Sequence, residues 1–385
     1  MKPIPDPRPV RAFLEPAHEK FAGEAAAFAA RDLAPREAPD TDDAARREAR
    51  SILSALGQGG WLGPIGRQDW RGVCLAREAV AAQSPLADAV VALQGLATLP
   101  ILFAGSDAQK KRWAEEAVSG RAMGGFAMTE REAGSDVAAI ATRAAKDGDV
   151  YVLTGRKSYI SNAGIADFYV VFASTDPAAG GKGISAFLVP ADTRGLRFTA
   201  QVLSAPHPLG EVVFEECRIA RENRLGDEGR GFALGLRTLD RMRATVGAAA
   251  TGMAARALQE AIAHARHRKQ FGKPLAEFQL VQEKLARMAT ELTAARLLVY
   301  RAAWEADRGQ ERVTLEAAMA KSYATEAAQR IIDDAVQILG ARGVMASHPV
   351  DRLYRAVRAL RIYEGTTEIQ RLVIAGQLLR DDASG

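Results

Sequence analysis

Residues 281–306 read VQEKLARMATELTAARLLVYRAAWEA. Val281, Leu285, Met288, Leu292, Ala295, Val299, Ala302 and Ala306 recur at alternating steps of four and three. That spacing is a heptad seam along one side of a single long helix. A one-sided apolar stripe needs partners to bury it. Upstream, Leu239, Met242, Val246, Met253 and Ala257 keep helical spacing. Downstream, Leu315, Met319, Ile331, Ala335 and Ile338 support a third helix, and Ile369 to Leu379 a last one. Long helices joined by short connections predict a helical bundle over residues 231–385.

Before Gly231 the texture changes. Short apolar or β-branched runs, Gly125–Met128, Val150–Thr154, Phe168–Ala173, Ile184–Val189 and Glu211–Phe214, are separated by Gly, Asp, Asn and Pro. This predicts an antiparallel β domain over residues 123–230. Residues 1–122 read as helical again. The expected stretches are Phe13–Ala30, Ala44–Leu56, Val73–Gln83, Leu86–Ala104 and Ala108–Val118. Helices, then strands, then helices is not the alternation that builds a parallel sheet, so the fold class is α+β, mainly α. The residues after Arg380 read as a loose tail.

The 385 residues are 48% hydrophobic and 25% charged, as in soluble globular proteins. The formal net charge of +4 suits anionic ligands but comes with no block of like charges, so no nucleic-acid tail is expected. Cys74 and Cys217 are too few and too far apart for a disulfide framework or a zinc ribbon, and read as core residues. No signal peptide and no unbroken apolar run of membrane-spanning length is seen, so the expected compartment is the cytoplasm, with no membrane partner. His264 and His267 lack a third ligand, and no metal site is expected. Gly229 to Gly235 misses the dinucleotide-loop spacing.

Four clusters carry candidate chemistry. Phe126-Ala127-Met128-Thr129-Glu130-Arg131-Glu132-Ala133-Gly134-Ser135-Asp136 leads from a strand into a loop of hydroxyls and carboxylates. It can offer donors to a polar ring or a phosphate, or be a plain β-turn with Gly134 at positive φ. In Lys157-Ser158-Tyr159-Ile160-Ser161-Asn162, a strand places Tyr159 and Ser161 on one face, able to cover a flat ring or merely to pack. Arg268-Lys269-Gln270-Phe271-Gly272 ends a cation-rich helix, as a pyrophosphate clamp or a complement to the helix dipole. In Ile362-Tyr363-Glu364-Gly365-Thr366-Thr367-Glu368-Ile369-Gln370, Thr367 and Gln370 have capping-box spacing, so Glu364 lies in the loop before a helix. There it can reach a ligand or simply face the helix dipole.

Taken together and in this order, the clusters resemble the acyl-CoA dehydrogenase family, from about Phe13 to Gln377. Gly105-Ser106-Asp107-Ala108-Gln109-Lys110 and the stretch from Arg342 to Arg355 add to the likeness. The resemblance implies an N-terminal helical domain, a central β-barrel-like domain and a C-terminal four-helix bundle. It implies non-covalent FAD, a homotetramer built as a dimer of dimers, and an electron-transfer flavoprotein as acceptor. By resemblance, Phe126, Met128, Thr129 and Gly134 border the flavin, and Tyr159, Ile160 and Ser161 lie beside its ring, Ser161 near N5. Arg268, Gln270 and Phe271, with Phe278 and Gln279, match FAD contacts made across a subunit boundary, as do Gln337, Gly340 and Ala341. Thr366 and Glu368 return to the FAD. Ser135, Asp240 and Arg243 match CoA contacts, Gly365 lies at the thioester, and Tyr363 joins Ala97, Thr98 and Leu99 at the acyl pocket. Glu364 matches the catalytic base.

Some members carry the base one residue before the arginine that matches Arg243; here that residue is Met242, which takes no proton. No Arg or Lys lies between Leu86 and Ser106, which argues against a glutaryl-CoA substrate. The chain departs from the family at Arg131-Glu132, Ala220, Ala341 and Ala356. An oxidase using O2 through the same residues is the nearest alternative activity, and a flavin-bearing DNA-binding relative a more distant one.

Overall fold

A computed structural model of the protein describes residues 3–310 and 312–381. Residues 281–306 lie within one helix, Gln279–Asp307. Met288, Ala295, Val299 and Ala302 of the seam are buried, and no seam residue is exposed. The neighbouring helices run Gly231–His267, Thr314–Leu339 and Thr367–Asp381. A further helix, Pro349–Leu360, escaped the sequence reading. The expected tail lies, from residue 382 on, outside the described residues.

The chain forms two compact units. One comprises residues up to Glu37, Asp69–Asp88 and the chain from Arg243 onward. The other comprises Ala38–Gln68 and Ala89–Met242. These units cut across the three textures of the sequence, because helices from residues 1–122 contribute to both.

In the first unit, helix Trp70–Gln83 is buried along nearly its whole length, N-capped by Asp69, which accepts from the Gly72 N–H at 2.8 Å. Burial all round leaves no place for free charge, so its charged residues are paired. Glu78 meets Arg296 at 2.7 Å and accepts from the Tyr300 hydroxyl at 2.6 Å. Arg77 makes a bidentate pair with Asp88, at 2.8 and 2.9 Å, and donates to the Thr245 hydroxyl at 2.8 Å. His18, Asp69 and Asp307 come together at metal-ligand range, but Asp307 is already taken by Arg71 and the Trp70 N–H.

The second unit holds a sheet of eight strands. In chain order these are β1 (Gly124–Ala127), β2 (Arg143–Asp147), β3 (Val150–Ser161), β4 (Phe168–Ser174), β5 (Ile184–Pro190), β6 (Leu196–Ala200), β7 (Leu209–Ala220) and β8 (Arg224–Leu225). Their spatial order is β6-β7-β3-β2-β4-β5-β8, with β1 beside β4. Antiparallel pairing predominates, yet β1 runs parallel to β4, and β2 meets β4 in parallel at Arg143 and Ser174. The sheet is therefore mixed rather than purely antiparallel. Its strand path has two ends, β6 and β8, so the pairing itself does not close a barrel. β4 and β5 are buried on both faces and read as continuous apolar runs for that reason. β6 is mostly exposed, which is why no alternation marked it.

Helix Pro85–Ala104 is long and apolar enough to cross a membrane, contrary to the sequence reading, and 83% of its most apolar window is buried within the protein. Gln94 in its middle is buried too, with its amide satisfied. Its amide donates to the Ala117 and Ala122 carbonyls and accepts from the Gly124 N–H, tying the helix to the start of β1. Cys74 and Cys217 are free and buried, as expected.

Candidate active site

Glu364 sits in the turn between helices Pro349–Leu360 and Thr367–Asp381, at φ +55°, followed by Gly365 at φ +90°. A non-glycine residue in the left-handed region is uncommon and persists only where its surroundings hold it. Here the restraint acts on two carbonyls. Arg243 Nε donates to the Glu364 carbonyl at 3.3 Å, and Gln370 Nε2 donates to both the Glu364 and Gly365 carbonyls, at 3.2 and 3.0 Å. Lys321 Nζ donates to the Gly365 carbonyl at 2.7 Å. Arg243, Lys321 and Gln370 are all buried.

The carboxyl group is treated the opposite way. Both oxygens of Glu364 are shielded from solvent, and neither has a hydrogen-bond partner among the described residues. Burial raises its pKa above the usual glutamate value of 4.5, while Arg77, Lys321 and Arg243 pull it back. The Lys321 ammonium is itself lowered to about 8 by burial, with Glu364 acting against the fall. The Ile362 and Tyr363 N–H groups donate to the Ala359 carbonyl and that of Thr367 to the Arg361 carbonyl. The Glu364 N–H finds no acceptor among the described residues. A basic carboxylate and a free backbone donor thus share one residue.

The expected Thr367–Gln370 capping box does not form. Thr366 is the cap, accepting from the Ile369 N–H at 3.3 Å. Thr367 instead donates to Glu326 at 2.8 Å, and Gln370 is spent on the base loop. A Cβ at Gly365 would meet Gln370 Nε2 at 2.6 Å and force an L residue into φ +90°. Gly365→Ala should cost about 1–3 kcal/mol, seen as a lower denaturant midpoint at unchanged slope.

Tyr363 is partly exposed and Glu368 exposed. The cation-rich helix ends at His267, and residues 269–274 form a hairpin instead. Phe271 and Gly272, at φ +50° and +79°, make its two-residue turn. Arg268, Gln270 and Gln279 are exposed, and Phe271 is 93% exposed with its ring edge-on to Phe278. Gln337, Gly340 and Ala341 are exposed at the end of helix Thr314–Leu339, where Gly340 takes φ +60°.

The flavin-side candidates belong to the second unit. Phe126 packs on Phe172, and Met128 and Ile160 are buried in the apolar core, so they can offer a ligand only backbone. Thr129 accepts from the Ser158 N–H at 3.0 Å. Gly134 and Ser135 are exposed; Gly134 is not at positive φ, and a Cβ there would meet nothing within 4 Å. Glu130, one of the carboxylates of the first cluster, is not free for a ligand: it accepts from the Ala141 and Thr142 N–H groups and from Lys157 Nζ at 2.8 Å, bracing this loop. Between Lys157 and Ile160 the β3–β7 register shifts by one residue. This bulge holds Tyr159 at φ +60° and 57% exposed, its N–H held by Gln201 at 2.9 Å. Ser161 Oγ lies 2.7 Å from His207 Nε2. Asp240 is half-buried; Ala97, Thr98 and Leu99 are fully buried. Met242 is buried against Gly95.

Models of the acyl-CoA dehydrogenase N-terminal, middle and C-terminal domains match residues 15–121, 125–217 and 229–379. The chain belongs to the acyl-CoA dehydrogenase family. It is 37% identical to 3-(aryl)acrylate reductase of Clostridium sporogenes, over 91% of this chain and 97% of that protein. It is 46% identical to the mitochondrial short-chain specific acyl-CoA dehydrogenase of Sus scrofa, over 73% of this chain and 69% of that one. The solved butyryl-CoA dehydrogenase of Megasphaera elsdenii superposes with a TM-score of 0.88 at 35% identity, covering 95% of this chain and 99% of the other. As an acyl-CoA dehydrogenase family member the protein is an oxidoreductase, and its cofactor is FAD. The residues present fit that group: in the second unit the space beside Gly134 and the outward Tyr159 leave room for a flat ring, and in the first unit the turn at Gly340 is open.

Proposed function

We propose that the protein converts an acyl-CoA thioester to its trans-2-enoyl-CoA, with Glu364 removing the α-proton. The observation that carries this reading is the shielded, unpartnered Glu364 carboxyl on a turn whose carbonyls are fixed from behind. An α-proton of a thioester is weakly acidic. A base in water would spend its lone pairs on solvent, whereas burial disfavours the charged form of a carboxylate and so makes it a stronger base. Arg77, Lys321 and Arg243 keep enough of it ionised to act. The free Glu364 N–H is a suitable donor to the thioester carbonyl, where negative charge gathers as the proton leaves. Bound FAD supplies the acceptor for the β-hydride.

The other assignments follow the same frame. Thr129, Tyr159 and Ser161 face the flavin ring; Ser135 and Asp240 serve the CoA chain; Arg243 holds the base loop as well as the ligand. Exposed Phe271 and Leu280 support a subunit boundary at the hairpin, with the neighbour's FAD receiving Arg268, Gln270, Gln337 and Ala341 in a dimer of dimers. A short, branched or alicyclic acyl chain, without a distal carboxylate, suits a helix Pro85–Ala104 without Arg or Lys. Electrons pass to an electron-transfer flavoprotein, and the protein works in the cytoplasm.

The test is product analysis: FAD-loaded enzyme is incubated with acyl-CoAs of graded chain length and an electron-transfer flavoprotein. The expected result is an enoyl-CoA two hydrogens lighter and a reduced flavoprotein. Hydrogen peroxide equal to the enoyl-CoA formed would make the protein an oxidase instead.

A further inference from the structure

Ser161 does not stand alone. Its hydroxyl lies 2.7 Å from Nε2 of His207, a residue no motif singled out. His207 is on the segment entering β7, next to Pro208, whose carbonyl accepts from the Asn162 N–H at 2.9 Å. Arg46 fixes the same corner: it pairs with Asp42 at 2.5 Å and donates to the carbonyls of Ala163 and of Leu209, the latter at 2.8 Å. The backbone that follows His207 is thereby fixed at Pro208 and Leu209.

Burial, opposed by Asp42 and reinforced by Arg46, lowers the His207 pKa to about 4. The ring is neutral near pH 7, with one nitrogen a donor and the other an acceptor. Nδ1 is shielded and has no partner among the described residues. A buried N–H without an acceptor costs more than a buried lone pair without a donor, which puts the proton on Nε2.

We propose that His207 is a positioning residue: its Nε2–H donates to the Ser161 hydroxyl and turns the Ser161 proton outward, toward a ring acceptor of the bound flavin. The inference rests on the placement of Ser161 at the flavin given above. A serine hydroxyl with no such partner rotates freely between giving and accepting. The oxidised ring edge offers an acceptor and the reduced one an N–H, so a hydroxyl locked as donor favours the oxidised form. His207 thereby lowers the flavin midpoint potential.

Anaerobic potential titration of the FAD-loaded variants tests this. His207→Ala frees the hydroxyl to accept, and the reduced form should gain about tenfold relative to the oxidised, a rise of about 30 mV for a two-electron couple. His207→Gln, whose amide N–H reaches the place of Nε2, should return most of the shift, and His207→Asn, which is too short, should not. In a Ser161→Ala background His207→Ala should add nothing. A Ser161→Ala shift with none from His207→Ala or His207→Asn would overturn the role of His207, as would an equal His207 shift with and without the Ser161 hydroxyl. An unchanged flavin spectrum and potential in Ser161→Ala would instead remove Ser161 from the flavin, and the proposal with it.

Discussion

Glu364→Gln is expected to bind FAD and an acyl-CoA as the native enzyme does, and to leave the flavin yellow when the two are mixed without oxygen. The amide keeps the shape and the backbone donor but cannot take the α-proton, so flavin reduction should slow by about 10²–10⁴-fold in stopped-flow absorbance. The same substitution has a stability signature. Burial raises the Glu364 pKa, so between 4.5 and the raised value the folded chain binds a proton that the unfolded chain lacks. Stability contributed by this group is full below 4.5 and is lost as pH climbs through the raised pKa. The glutamine variant is free of that loss. Its melting temperature should exceed the native one above the raised pKa, and the gap should close as pH falls toward 4.5. A native-like rate of flavin reduction in Glu364→Gln would remove the assigned base.

Asp88→Ala is expected to be the most damaging of the substitutions for folding. Arg77 and Asp88 are almost wholly buried and satisfy each other through two hydrogen bonds. Removing one partner strands the guanidinium charge in the core, at a cost of about 3–5 kcal/mol. Chemical denaturation should show that loss, whereas replacing both residues by apolar ones of similar volume should recover most of it. If Asp88→Ala costs no more than a surface substitution, the pair is not the buried unit described. The double replacement also withdraws Arg77, whose charge lowers the Glu364 pKa, together with Asp88, whose charge raises it by less. The pH dependence of flavin reduction in the double variant should therefore move upward.

The helical frame was legible because apolar spacing survives in one dimension. The seam from Val281 to Ala306 is the buried side of a real helix. Helix Pro349–Leu360 was missed because three arginines and an aspartate dilute its apolar positions, leaving Val350, Leu353, Val357 and Leu360 as the buried stripe. β2 and β6 expose most of their residues and left no alternation to read. The order of strands, and the parallel pairing of β1 with β4, depend on contacts across about forty residues that no local pattern records. At the site, Glu364 was visible as a carboxylate beside a glycine ahead of a helix. Arg243 was named by resemblance as a CoA contact, not as a support of the base loop; Arg77 and Lys321 come from distant segments, and what distinguishes them is burial, which the sequence shows only as ordinary charge. The Lys157–Glu130 pair and the His207–Ser161 contact were hidden for the same reason.

The central claim is that a thioester gives up a proton to Glu364 while its β-hydrogen leaves with the electrons. It is tested most directly by anaerobic titration of the FAD-loaded protein with a graded panel of saturated acyl-CoAs, following the yellow absorbance. At least one short or branched member should bleach the flavin, with one enoyl-CoA formed for each flavin reduced. Full FAD occupancy with no bleaching by any member of the panel would contradict the account.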